Sequence, residues 1–404
     1  MTDRRQFCQA GAAALLAGCG LVARAWADDD RWGASKGYPT GWNGGYERDT
    51  ATRVGNYSGG FEQMLPSRTI RSAGAAAPLR SAPRPDLRYR WQGASKSIAD
   101  YLASQPTTAL AIARHGEIWV QRYGFDRSAE MRLTSWSMAK SVTSLLLGIA
   151  IDKGLIESLD DRPDRYVPAL RDTLHGRVSM RHLVNMASGA AVLHSRDNAT
   201  IYPAGLLQGK SADLEAVVRG WNARAEEPGA RFNYNELCPL TIGMVLRAVS
   251  GTSLSEFAQQ ALWQPMGAEA DATWQCDGRR HEFNCIGVAA RVRDWLRLGQ
   301  LVAQQGELNG AQIVSRKWLT ECRSWRRDEQ QVTFGRATPQ AGYKAFMWHA
   351  RADGTQPYFN GHHGQRVFID MPTQTVLVHT AVDENPGMMQ ELYALFMAAV
   401  SEAS

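Results

Sequence analysis

The chain has 404 residues, 44% of them apolar, 21% charged and 9% aromatic, with a formal net charge of +5. That is enough apolar content to bury a large core, and it excludes a wholly disordered chain. Arg4, Arg5 and Arg24 against Asp3 supply +2 within the first 27 residues, and the remaining +3 is too small and scattered to argue for a nucleic-acid partner.

The chain opens Asp3-Arg4-Arg5-Gln6-Phe7 and is uncharged from Gln6 to Ala23. A paired arginine, a mildly apolar stretch and a small-residue exit read as a twin-arginine export signal over residues 1–27, which implies a periplasmic protein exported after folding. Ala25-Trp26-Ala27 before Asp28 fits a small-x-small cleavage site. Leu16-Ala17-Gly18-Cys19 also fits a lipoprotein box, in which Cys19 would carry a lipid anchor. The acidic run Asp28 to Asp30 after the first site favours the soluble form. No apolar run in the body reaches membrane-spanning length, so no transmembrane anchor is expected. Residues 28–90, rich in Gly, Ser, Pro and Ala, read as an extended N-terminal arm.

Compact structure is expected from Trp91 onward. Residues 97–103 read as a helix, and 108–113 with 118–120 as strands around the His115-Gly116 turn. Residues 137–151 form a helix apolar nearly all round, which predicts burial. Helical patterns recur at 180–186, 212–221, 240–249, 254–262 and 294–304. Strands follow at 345–349, 366–369 and 376–382, and a helix at 388–399 closes the pattern. Strands at both ends imply one sheet built from the two ends of a domain spanning 91–404. Its α/β part would cover about 91–150 and 280–404, and a mostly helical lobe about 151–280. Outside the signal stand Cys238, Cys276, Cys285 and Cys322, which allow three disulfide connectivities. Cys276 and Cys285 flank the turn dipeptide Asp277-Gly278 and are the favoured pair. No Cys/His set has metal-ligand spacing.

Only seven residues are lysine, and one of them, Lys140, lies inside the apolar helix. Burying an ammonium is costly, so it needs a reason. Ser137 stands one helical turn earlier, where the two side chains can meet and where the helix N-terminus favours negative charge. A desolvated lysine can have a lowered pKa and take a serine proton. The bland alternative is a helix-capping serine with a snorkelling lysine. A second stretch, Pro228-Gly229 to Tyr234-Asn235-Glu236, precedes a helix ending at Gly251. Tyr234 beside a lysine could be driven towards phenolate and act as a base; alone it could equally be a core tyrosine. The third stretch is Phe359-Asn360-Gly361-His362-His363-Gly364-Gln365. Its glycines mark close backbone approach, and its histidines offer a triad partner for Ser137.

Together these segments resemble the three motifs of the serine β-lactamase and penicillin-binding-protein superfamily. Ser137-Met138-Ala139-Lys140-Ser141, Met186-Ala187-Ser188-Gly189 and the Gly-His-His-Gly-Gln strand are most similar to the branch of 6-aminohexanoate-dimer hydrolases and related carboxylesterases. The similarity runs from about Trp91 onward and extends to Arg53-Val54-Gly55-Asn56-Tyr57-Ser58. It implies an α/β (α+β) fold, a five-stranded antiparallel sheet flanked by helices plus a mostly helical lobe, with the site at their junction. It also implies Ser137 as nucleophile, with Lys140 and Tyr234 sharing the base and acid roles. The N–H groups of Ser137 and His362, just after Gly361, would bind the oxyanion; an alternative register uses Gln365. Tyr202 is the matching substrate-gripping tyrosine.

The sequence departs from the pattern twice. Glu236 replaces an asparagine common in relatives, and would either repel carboxylate-bearing substrates or pair with Lys140. The third motif begins without lysine; its slot holds Phe359 or His362. That disfavours β-lactam and peptidoglycan chemistry. The expected protein is a serine hydrolase acting on a small-molecule ester or linear amide, without metal or organic cofactor. The rivals are a β-lactamase or D,D-peptidase, and a non-catalytic sensor that keeps the fold.

Overall fold

The computed structural model describes residues 38–41, 49–74, 79–207, 209–327, 329 and 341–402. The export signal and Cys19 lie outside the described residues. The chain divides into two units, Met1–Asn56 and Tyr57–Ser404. In the first, helix Thr50–Gly55 is capped by Asp49, whose carboxylate accepts from Thr52 N–H at 2.8 Å.

The second unit is built on a mixed sheet. Its order is Gly342–Lys344, Met347–His349, Pro357–Gly361, Gln365–Asp370, Thr375–Ala381, Thr107–Arg114, Glu117–Tyr123 and Arg80–Ser81. The join between the chain's two ends is the antiparallel pair Thr375–Ala381 with Thr107–Arg114. The sheet is therefore wider than five strands, and Arg80–Ser81 pairs in parallel with Glu117–Ile118. Thr107–Arg114 is buried along its whole length, because the sheet is covered on both faces. On one face lie the helices Ile98–Ser104 and Met388–Ser401. There Tyr101, Leu392, Leu395 and Phe396 pack on Leu110, Ile112, Tyr358 and Phe368, each such side chain contributing about 1.5–3 kcal/mol of transfer free energy. On the other face lie Val292–Ala303 and Met138–Asp152.

A second, four-stranded sheet runs Ser67–Ile70, Ala272–Gln275, Val288–Ala290, Leu133–Thr134. The stretch read as an extended arm thus contributes strands to both sheets. Between residues 163 and 263 the named elements among the described residues are helices, mostly short pieces around Leu237–Ser250. Among the described residues no single helix is long and apolar enough to cross a membrane.

Two expectations change. Ala345 is not a strand residue; Ala345 and Phe346, with φ of 49° and 62°, form the turn between Gly342–Lys344 and Met347–His349. That turn is held by Asn185 Oδ1 on Ala345 N–H (3.1 Å), Val184 O on Phe346 N–H (2.9 Å) and Ser141 Oγ–H on Phe346 O (2.9 Å). The Cys276–Cys285 disulfide does not form: Cys238, Cys276, Cys285 and Cys322 are all free and buried. The Asp277-Gly278 turn serves another purpose, since Asp277 accepts from the Leu214 N–H at 2.9 Å. The Cys276 thiol turns to the Trp274 carbonyl, and Cys285 turns to Glu236.

Candidate active site

The strand Leu133–Thr134 is pinned to Val288–Ala290, and Ser135 N–H continues the register onto Val288 O at 2.7 Å. The chain then turns sharply through Trp136, whose φ of 43° is unusual for so large a residue. Such a conformation costs about 1–3 kcal/mol and persists only where the surroundings over-determine it. Here the Trp136 ring is boxed edge-on by Tyr57 (5.5 Å), Phe61 (5.9 Å) and His362 (5.4 Å). Ser137 follows as the N-cap of Met138–Asp152, yet its hydroxyl makes no capping bond. It meets Lys140 instead: Lys140 Nζ donates to Ser137 Oγ at 2.9 Å and to Cys285 O at 3.0 Å.

Lys140 is 1% exposed and faces Glu236, 0% exposed, with Nζ 2.6 Å from Oε2. Burial alone would lower the lysine pKa, but the Glu236 charge, helped by Tyr234 and Cys285, wins and raises it. Burial likewise works to raise Glu236, and Lys140 and His194 hold it below its ordinary value. The expectation of a lysine made basic by desolvation is thus reversed. The pair is an ammonium and a carboxylate at neutral pH.

Tyr234 is carried to this pair by a packed turn. Met186 O accepts from Asn233 N–H (2.7 Å), and Ala187 O from Gly229 N–H (2.8 Å). Gly189 is required there: its φ is 74°, and a Cβ would stand 2.2 Å from Glu226 O. The Lys140 ammonium lies 4.9 Å from the Tyr234 ring centroid, and the phenol reaches both Ser137 and Lys140. Burial raises the Tyr234 pKa more than Lys140 lowers it, with Glu236 adding to the rise. Tyr234 is therefore a phenol, not the phenolate expected from its lysine neighbour. Its ring stacks on Trp348 at 5.6 Å and, with Phe232 and Tyr343, makes an aromatic wall.

The strand end Pro357–Gly361 closes the opposite side. A Cβ on Gly361 would lie 2.3 Å from Ser135 O and 3.2 Å from Trp136 Cβ, so only glycine brings this backbone against the turn before Ser137. His362 follows, exposed, while Phe359 is fully buried. Lys140 and Tyr234 are the groups that reach Ser137, while His363 faces Asp383 at 3.6 Å and the Tyr57 ring. Gln365 is a brace. Its Nε2 donates to the carbonyls of His362 (3.0 Å), His363 (3.0 Å) and Ala381 (2.7 Å), and the residue is buried.

Tyr202 enters the site differently from expectation. It ends a helix, His194–Tyr202, rather than a loop, and its hydroxyl donates to Glu236 Oε1 at 3.0 Å. His194 was invisible in the sequence. It sits 3.8 Å from Glu236 Oε1 and 5.2 Å from the Tyr234 ring, with its pKa lowered chiefly by burial. Nothing local marks it, because its partners lie 40 and 42 residues away.

Comparison with known proteins gives the family of the chain. The sequence model of the beta-lactamase family matches residues 94–394, and the chain belongs to that family. The chain is 23% identical over 342 residues to the 6-aminohexanoate-dimer hydrolase of Paenarthrobacter ureafaciens, covering 78% of this chain and 82% of that one. A Bacillus anthracis structure described as a 6-aminohexanoate-dimer hydrolase superposes with a TM-score of 0.76 at 20% identity, over 88% of this chain and 95% of that one. A family VIII carboxylesterase superposes with a TM-score of 0.54 at 17% identity, over 75% and 96%. The protein is a serine hydrolase of this superfamily.

Proposed function

We propose that the protein cleaves an ester or linear amide through an acyl-enzyme on Ser137. The observation that carries the reading is the buried contact of Lys140 with both Ser137 Oγ (2.9 Å) and Glu236 (2.6 Å). As Ser137 Oγ attacks the carbonyl carbon, its proton passes to Lys140, which gives one of its own to Glu236. The oxyanion is held by the N–H groups of Ser137 and His362 at the positive end of the helix. The Tyr234 phenol protonates the leaving group and is reprotonated through Lys140 from Glu236. Water then repeats the cycle and frees the acid.

Three features support esters and unstrained amides over β-lactams. Glu236 occupies the asparagine position. In the register that puts the oxyanion N–H at His362, the slot that holds lysine in β-lactamases and peptidases is Phe359, which is buried. The wall of Phe232, Tyr234 and Trp348 suits an apolar group better than a carboxylate. Export by the twin-arginine route belongs to the same reading, on Arg4-Arg5 and the Ala25-Trp26-Ala27 site. The test is a panel of nitrophenyl esters, aminohexanoate oligomers and β-lactams against wild type and Ser137→Ala. Turnover of esters or linear amides, lost in Ser137→Ala, is expected; a cephalosporin turned over faster than the esters overturns the reading.

A further inference from the structure

Arg366 lies outside the groups assigned above, yet it holds the backbone that frames the site. Pro357–Gly361 and Gln365–Asp370 pair antiparallel, with Asn360 opposite Arg366 and Gly361 opposite Gln365. Side chains alternate across a strand, so Tyr358, Asn360, Arg366 and Phe368 share one face. That face packs on the C-terminal helix, where Tyr358 and Phe368 meet Leu392 and Phe396 and where Arg366 Nε lies 3.2 Å from Met389 Sδ. Gly361 looks the other way, onto Ser135 and Trp136.

From its own face the Arg366 guanidinium reaches round the strand end. Nη1 donates to Gly361 O and, at 2.9 Å, to Gln365 O. Nη2 donates to both carboxylate oxygens of Glu384, at 3.0 and 3.1 Å. The Gly361 carbonyl and the His362 N–H belong to one planar trans peptide and point in opposite directions. Fixing the carbonyl on the Arg366 side therefore turns the His362 N–H towards the Ser137 side. A cation on the carbonyl also polarises the peptide and strengthens its N–H as a donor. Strand pairing does not call for this grip, because Gly361 already pairs with Gln365.

We infer that Arg366, clamped by Glu384, is a positioning residue that orients the Gly361–His362 peptide as an oxyanion donor. The inference rests on the acyl-enzyme reading above. Its test measures kcat, KM and the affinity of an aryl boronate, which forms a tetrahedral adduct on an active serine. Wild type, Arg366→Gln, Arg366→Lys and Glu384→Gln are compared, each normalised to sites titrated with a fluorophosphonate. Arg366→Gln should lower kcat per titrated site by roughly 10- to 100-fold with KM little changed, and boronate affinity should fall in parallel. Arg366→Lys should recover part of the loss, and Glu384→Gln should show a smaller loss of the same kind. A purely structural role would reduce the number of titrated sites and leave kcat per site intact. Unchanged kcat and boronate affinity in Arg366→Gln overturns the inference; if that variant does not fold, the same result in Glu384→Gln and Arg366→Lys does so. Failure of wild-type Ser137 to label instead overturns the acyl-enzyme reading, and this inference with it.

Discussion

The Lys140 ammonium and the Glu236 carboxylate face each other at 2.6 Å with both side chains sealed from solvent. Neither charge is tolerable there without the other, since removing one partner of a buried pair costs about 3–5 kcal/mol. The glutamate also gives the lysine a proton acceptor, which a charged amine needs before it can act as a base.

Glu236→Gln should destabilise the protein at pH 7 by about that amount. The sign follows from the two shifts. The Glu236 pKa is lowered, so its contribution is present above the ordinary glutamate range and is lost as pH falls. The Lys140 pKa is raised, so its contribution is present at neutral pH and lost only as pH rises through the raised value. Urea unfolding should show a wide gap between wild type and variant at pH 7 that narrows as pH falls below the ordinary glutamate range.

Tyr234→Phe keeps the ring against Trp348 and removes only the phenol. Loss of a general acid typically costs about 10²–10⁴ in rate. The loss should be larger on a linear amide, whose amine must be protonated to leave, than on a nitrophenyl ester. Equal losses on both substrates, measured as kcat/KM, count against the proton-donor role.

Trp348→Ala should open the aromatic wall. Aromatic contacts of this kind are worth about 0.5–1.5 kcal/mol beyond their buried area. KM for esters with bulky apolar groups should therefore rise roughly tenfold, the equivalent of about 1.4 kcal/mol. Acetate esters should change little. A steady-state comparison of the two series checks it.

Asp294 gives a second pH signature away from the site. Burial pushes its carboxyl up to about 7, although it accepts the Glu269 N–H at 2.7 Å. A carboxyl raised in the folded state favours its protonated form, so wild-type stability should fall as pH rises from about 4 to about 7. Asp294→Asn keeps the acceptor and removes the titration. Its gain in Tm over wild type should be larger at pH 8 than at pH 4.5, by calorimetry.

The parts of the site legible in the sequence are those fixed by local periodicity. The helix around Ser137 and Lys140 was readable because one charge interrupts a continuous apolar run. Tyr234 was placed by the turn before it and the apolar helix after it. Gly361 was marked as a close approach, and a Cβ there would indeed collide with Ser135 O. The sequence also raised the pairing of Glu236 with Lys140, as one of two alternatives. What could not be read depends on tertiary packing. His194, Trp348 and Arg366 have no local signal, and each meets its partners through a different element. The protonation states depend on the same packing: burial alone lowers the Lys140 pKa, and only the distance to Glu236 decides that the counter-charge wins. Cys276 and Cys285 are near in sequence, but one thiol turns to Trp274 O and the other to Glu236.

The central claim is that Ser137 is the acylated residue, and covalent labelling tests it most directly. Wild type and Ser137→Ala are treated with a fluorophosphonate, digested, and mapped by mass spectrometry. The account predicts one adduct per chain on the peptide that contains Ser137, and none on the variant. Equal labelling of both proteins, or an adduct mapped to another residue, would contradict it.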